Sequence, residues 1–336
     1  MPTLFKKILL SLASLVLFLA LAEGFCRLVP LHRDQFTMPV DDVLIPNDEL
    51  IWRLKPYTSG PFTTNELGLR DTPYNSTADR KILLLGDSVA WGDGIHDPRL
   101  TFPWLLEQQL STARGKPVEV INSAVPGYST FQELHYLQLH GLQLAPDLIV
   151  VQFCLNDVIE RYSRLAEYGG DNYFIGIDTR HAVRGLHGWL LRNSRAYETG
   201  MRLAVRLARN QQEYQVEKLT ATPLSPELTA AWDRTLSELD QMRELAAANR
   251  IPLVILVMPY RFQLEHPEQT DQPQKMLQQW GRNKGITVID LLPQFTVFRA
   301  NSEGVPLFFD PSHLTLEGHQ LTAEIAAAAL LPLLQQ

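Results

Sequence analysis

Lys81-Ile82-Leu83-Leu84-Leu85-Gly86-Asp87-Ser88 is the stretch on which the fold turns. Four large apolar residues between a lysine and a glycine read as a short strand buried on both faces. The serine that follows sits where a parallel sheet presents its carboxyl ends and where such folds bind ligands. Similar runs recur at Val118 to Ile121, Leu148 to Phe153, Leu253 to Val257 and Ile286 to Ile289. Helices are predicted between them. Thr101 and Pro103 open one, and Ser129 with Gln132 makes a capping box for another that stops near Gly141. A third starts at Ser225-Pro226, with Leu228, Trp232, Leu236, Leu239, Met242 and Ala246 at helical spacing, and the last runs from Thr315 to Leu334. Strands alternating with amphipathic helices predict a parallel α/β sheet covered on both faces. The stretch from about 158 to 224 is too long for a simple crossover and is expected to form an inserted helical lid.

Upstream, residues from about 30 to 80 are rich in Pro, Asn, Asp and Thr, which predicts loops and short strands: a stalk merging into the domain that spans 81–336. The first 29 residues differ. Lys6 and Lys7 precede an uncharged run from Ile8 to Ala22, which rises roughly 22 Å as a helix. That falls short of a bilayer core of about 30 Å unless Leu4, Phe5, Gly24 and Phe25 extend it. Ala20-Leu21-Ala22 has the small-x-small form of a cleaved signal peptide, whereas continued apolarity through Phe25, Leu28 and Val29 fits a retained anchor. In either case the lysines predict a cytoplasmic N-terminus and a body on the extracytoplasmic, periplasmic side, anchored or released.

Composition narrows the partners. With 336 residues, 45% hydrophobic and 20% charged, the chain is that of a globular protein. A formal net charge of -7 with no basic tail argues against nucleic acid. Two cysteines, Cys26 and Cys154, offer no disulfide framework.

Ser88 needs a base, and the base needs an orienting group, because a serine hydroxyl is a poor nucleophile unaided. Asp310-Pro311-Ser312-His313 supplies both: a carboxylate three residues before an imidazole can accept one ring N–H and leave the other nitrogen free. Donors for a developing oxyanion are sought in the backbone N–H groups of Ser88 and Gly127 and the side-chain amide of Asn156.

These residues carry a resemblance. Gly86-Asp87-Ser88 resembles the first block of the GDSL/SGNH hydrolases, Asn122-Ser-Ala-Val-Pro-Gly127 the second, Asn156-Asp157 the third, and Asp310-x-x-His313 the last. The likeness covers about residues 81 to 334. It implies a flavodoxin-like three-layer α/β/α sandwich with five parallel strands in the order 2-1-3-4-5, and no metal or cofactor. It also implies catalytic roles for Ser88, Asp310 and His313, and oxyanion-hole roles for Ser88, Gly127 and Asn156. The third block departs from the pattern by holding Cys154 where glycine is usual, which implies tolerated crowding. Asn65-Glu-Leu-Gly68-Leu-Arg70 is similar to a segment of membrane-anchored bacterial members, which favours the anchor. The implied activity is a serine esterase acting on an O-acyl ester, short-chain or acetyl, at the cell envelope. An O-acetyltransferase or deacetylase on an envelope polysaccharide, and a non-catalytic glycan-binding or assembly subunit, are the alternatives.

Other features have plainer readings. Asp87 is expected to tie down its loop. His319 lies six residues past His313, off its helical face, and is expected to be hydrogen-bonded or exposed. His135 and His140, five apart, miss the spacing for joint metal ligation. Trp91, Tyr128, Tyr260 and Arg261 could line a pocket or anchor the core. Around Trp189 to Arg209, arginines at 195, 202, 206 and 209 oppose Tyr197, Met201, Ala204, Val205 and Ala208. This pattern suits a packed lid helix or one lying on anionic headgroups.

Overall fold

The structure is a computed structural model that describes residues 2–29, 43–47, 49–59, 62–159, 185–201, 216–302 and 304–335. Two compact units divide the chain, one formed by 1–41 with 168–211 and the other by 42–167 with 212–336.

In the larger unit, five strands form one parallel sheet: β3 (Arg80–Leu85), β4 (Val118–Asn122), β5 (Leu148–Phe153), β6 (Leu253–Val257) and β7 (Thr287–Asp290). Their order is β4-β3-β5-β6-β7, the predicted 2-1-3-4-5. Ile82 pairs with Val120 on one side and Leu148 on the other, and Val150 pairs with Val254. β4 and β5 are buried along their whole length, as strands covered on both faces must be. The Phe102–Arg114 helix packs on the Leu316–Leu334 helix, and the Thr130–Leu139 helix packs on the Pro226–Ala248 helix, giving the three-layer sandwich. Chain order reverses at β3, so the carboxyl ends of β3 and β5 open at the topological switch point.

Helix starts follow the sequence signals. Ser129 N–H donates to Gln132 Oε1 at 3.1 Å, and Ser225 Oγ accepts from Leu228 N–H at 3.3 Å. β7 begins one residue later than its apolar pattern predicts. Ile286 N–H bonds Gly281 O at 2.9 Å and closes the preceding helix instead of entering the ladder.

Two further strands, β1 (Leu44–Asn47) and β2 (Ile51–Leu54), form an antiparallel hairpin upstream of the sheet. Asn47 Oδ1 accepts from Glu49 and Leu50 N–H and shapes its turn. Leu50, Ile51, Trp52, Leu54, Phe62 and Leu69 are buried, so this upstream segment contributes side chains to the core of this unit.

In the smaller unit, the Pro2–Leu28 helix exposes apolar side chains all round, among them Phe5, Leu10, Val16, Phe18 and Leu21. Phe5–Leu28 is long and apolar enough to cross a membrane. Glu23, in its last turns, accepts from Ser194 Oγ (2.8 Å) and from the backbone N–H of Arg195 and Ala196 (both 3.0 Å), at the start of helical residues 195–201. The Gly185–Asn193 helix precedes them, with Leu186 and Trp189 exposed. Residues 160–184 and 202–215 of the expected lid, the latter including Arg202, Arg206 and Arg209, lie outside the described residues.

Candidate active site

β3 delivers Ser88 through a turn crowded at Gly86, where a Cβ would lie 2.6 Å from Gln152 Oε1 and displace it. That oxygen accepts from the N–H groups of Asp87 (3.3 Å) and Ala90 (3.2 Å), so β5 braces the turn. Asp87 caps the short Ser88–Trp91 helix by accepting from Val89 N–H at 2.9 Å. Asp87 is buried and makes no contact with His313 in the hydrogen-bonding range; it ties down the loop as its position suggested.

Asp310 and His313 meet Ser88 from the turn before the last helix. Asp310 Oδ1 accepts from the N–H groups of Ser312 (2.9 Å) and His313 (2.7 Å), which winds the turn tightly enough for Oδ2 to accept His313 Nδ1–H at 2.6 Å. In the neutral imidazole a donor at Nδ1 leaves the Nε2 lone pair free for Ser88 Oγ–H, and the two atoms lie 2.8 Å apart. His313 is 7% exposed. Burial alone would lower its pKa. The hydrogen bond and charge of Asp310, with the charges of Asp93 and Asp87, outweigh this and raise it to about 9. Burial likewise opposes ionisation of Asp310, but bonds from the His313 ring and from two backbone N–H groups bring its carboxyl down to about 2. An ionised carboxylate, an oriented imidazole and a serine hydroxyl in one line can generate an alkoxide-like nucleophile.

The expected oxyanion donors follow the carboxyl ends of β3, β4 and β5. Ser88 N–H and Gly127 N–H donate to no described residue, and Gly127 adopts φ +78°, a conformation that favours glycine. Asn156 Nδ2 donates one hydrogen to Asp87 Oδ2 at 2.9 Å, and Tyr260 O–H reaches Asn156 Oδ1 at 3.4 Å, so both ends of the amide are held. Cys154 at the glycine position is buried, and its N–H donates to Asp157 Oδ2 at 2.9 Å, which keeps the turn that presents Asn156.

Trp91 and Tyr128 pack in the core. Tyr128 O–H donates to Trp52 O at 2.7 Å, and Trp52 Nε1–H donates to Pro126 O at 3.1 Å. His319 is fully buried, accepts from Phe102 N–H at 3.1 Å, and is held neutral by a burial-driven fall in pKa to about 3. Arg261 is exposed. Among the described residues no cluster of three His, Cys, Asp or Glu is placed to hold a metal ion.

Two residues to which the sequence reading gave no role at the site also belong here. Asp93 Oδ2 lies 3.7 Å from His313 Nε2, and buried Arg70 binds the backbone of the loop that carries Asp93. The flanking glycines at 92 and 94 and the Asn65-to-Arg70 segment were their only sequence signals.

Several solved structures are similar to this chain. A psychrotrophic esterase from Pseudoalteromonas sp. is 12% identical, with 77% of this chain and 100% of that one covered and a TM-score of 0.44. A lipase/acylhydrolase from Enterococcus faecalis is 18% identical (75% and 96% covered, TM-score 0.41). An acetyl-xylooligosaccharide esterase from Geobacillus is 13% identical (75% and 94% covered, TM-score 0.46). No curated protein matches the chain. The model of the GDSL-like lipase/acylhydrolase family, however, matches residues 84–321, a span that takes in Ser88, Gly127, Asn156, Asp310 and His313. The chain belongs to that GDSL-like lipase/acylhydrolase family and is a serine hydrolase acting on ester bonds.

Proposed function

We propose that this protein is a membrane-anchored esterase whose catalytic unit faces the extracytoplasmic side and cleaves O-acyl esters through Ser88, His313 and Asp310. The observation that carries the reading is the hydrogen-bonded line from Ser88 Oγ to His313 Nε2 (2.8 Å) and from His313 Nδ1 to Asp310 Oδ2 (2.6 Å). Ser88 Oγ attacks the ester carbonyl while His313 Nε2 takes its proton. Negative charge collects on the carbonyl oxygen, which Ser88 N–H, Gly127 N–H and Asn156 Nδ2–H stabilise. Collapse breaks the bond to the alcohol, which leaves with the proton from His313, and the acyl group remains on Ser88. Water, deprotonated by His313, then releases the acid and restores the serine.

Anchoring is supported by the all-round apolar exposure of the Pro2–Leu28 helix, a surface that water disfavours, and by Lys6 and Lys7 on its N-terminal side. Acetyl and other short-chain esters, including acetylated glycans, are the substrate class to assay first.

A fluorophosphonate probe tests the reading on the full chain in detergent. Stoichiometric labelling of Ser88, lost in Ser88→Ala, is expected. A folded protein that resists labelling overturns it. Acetyl release measured with and without an acceptor sugar then separates hydrolysis from transfer.

A further inference from the structure

We propose that Asp93 is a second carboxylate acting on His313, from its Nε2 side, and that Arg70 is the positioning residue that holds it there; this rests on the catalytic reading of Ser88 and His313 above.

The turn carrying Asp93 grows directly out of the serine helix. Asp93 N–H donates to Ser88 O at 2.9 Å, and Gly92 and Gly94, both at φ +82°, bend the chain back on each side of it. Asp93 Oδ1 accepts from Gly94 N–H at 3.0 Å, which turns Oδ2 to face His313 Nε2 at 3.7 Å. Phe309 closes the other side. Its ring stacks on His313 at 5.8 Å, and a Cβ at Gly94 would lie 2.3 Å from its Cζ.

Such a glycine-rich turn would be soft without a clamp, and Arg70 supplies one. It is 1% exposed, lies over the rings of Trp91 (4.3 Å) and Phe62 (5.2 Å), and spends its fork on backbone carbonyls. Nη1 donates to Trp91 O (2.6 Å) and Gly92 O (2.9 Å), and Nη2 to Ile95 O and His96 O (3.1 Å). These four carbonyls bracket Asp93 on both sides. Only a planar, multiply donating cation can hold all of them, so lysine is no equivalent.

At 3.7 Å Asp93 is outside hydrogen-bonding range, so in the reactive, neutral form of the imidazole Nε2 keeps Ser88 as its partner. Once Nε2 has taken the serine proton, the imidazolium stands between Asp310 on Nδ1 and Asp93 beyond Nε2. Its charged state is favoured from both sides. The other ionisable groups that act on His313 are Asp87, buried behind Ser88, and His319, which stays neutral. Among the described residues, Asp93 is thus the carboxylate within 4 Å of the reacting nitrogen.

The test is the pH dependence of Ser88 phosphonylation and of kcat/KM for a neutral acetyl ester, using the full chain in detergent. Asp93→Asn is expected to move the acidic limb of both profiles down by roughly one pH unit. The same change should lower the alkaline plateau about tenfold. Arg70→Lys, checked for folding by its thermal transition, is expected to place the limb between wild type and Asp93→Asn. A limb unmoved in Asp93→Asn, while Ser88→Ala abolishes labelling, overturns the proposal and leaves the triad standing. A wild-type limb in folded Arg70→Lys removes Arg70 from it. Activity persisting in Ser88→Ala instead defeats the catalytic reading itself.

Discussion

Asn156 Nδ2 donates to Asp87 Oδ2 at 2.9 Å, joining the end of β5 to the turn that carries Ser88. Asp87 therefore holds both the helix of the proposed nucleophile, through Val89 N–H, and the side-chain amide proposed as an oxyanion donor. Losing the donor should cost more than loosening it. Asn156→Ala is expected to lower kcat by about 10²–10³ with little change in KM, the range for removing one oxyanion donor. Asp87→Asn can still accept one of its two bonds and is expected to lose about tenfold. Steady-state kinetics normalised to titrated Ser88 check both, and a wild-type kcat in Asp87→Asn would contradict the linkage.

The acid–base balance at His313 sets a pH dependence. Its pKa, raised to about 9 chiefly by Asp310 against the pull of burial, means that most molecules at neutral pH carry an imidazolium that cannot accept the serine proton. On this reading kcat/KM climbs with pH through the neutral range and levels only above about 9. A profile already flat between pH 6 and 8, measured with a neutral ester, would contradict it.

Much of this architecture was legible because its causes are local. Strands covered on both faces are predominantly apolar, so β5, with Gln152 as its one polar residue, and β6 stand at their predicted bounds. Asp310 and His313 lie three residues apart, so one turn brings them together. The places of Asp93 and Arg70 beside the site were not legible for the opposite reason. Asp93 meets His313 across some 220 residues of chain, and Arg70 is buried only because carbonyls more than twenty residues further on gather round it. Trp91 and Tyr128, equally suited to a pocket by sequence, are core residues because Phe62 and Trp52 from the upstream segment cover them.

Stability should follow pH in the opposite sense to activity at the His313–Asp310 pair. The folded pKa of His313 is raised, so its contribution is fully present below the unfolded value of about 6.5 and is lost as pH rises through about 9. The folded pKa of Asp310 is depressed, so its contribution is present above the unfolded value and is lost as pH falls through about 2. The pair therefore stabilises most between about pH 4 and 6.5. Asp310→Asn is expected to lower Tm more at pH 5.5 than at pH 9.5, and an equal loss at both would contradict the coupling.

The hairpin upstream of the sheet has a consequence for Gly127. Trp52 Nε1–H donates to Pro126 O, the peptide unit whose other end is Gly127 N–H, while Tyr128 O–H returns a bond to Trp52 O. The two bonds grip the second block on either side of Gly127, the proposed oxyanion donor. Trp52→Phe keeps an aromatic ring at this buried site but removes one donor. It is expected to cost about 1 kcal/mol of stability, the net worth of a typical hydrogen bond, plus a packing loss of similar size. Because the freed Pro126 carbonyl lets the Gly127 peptide tilt, kcat is expected to fall several-fold at unchanged KM. Denaturant unfolding and steady-state kinetics on the same preparation decide the matter. A stability loss with wild-type kcat would make the hairpin a support of the fold alone.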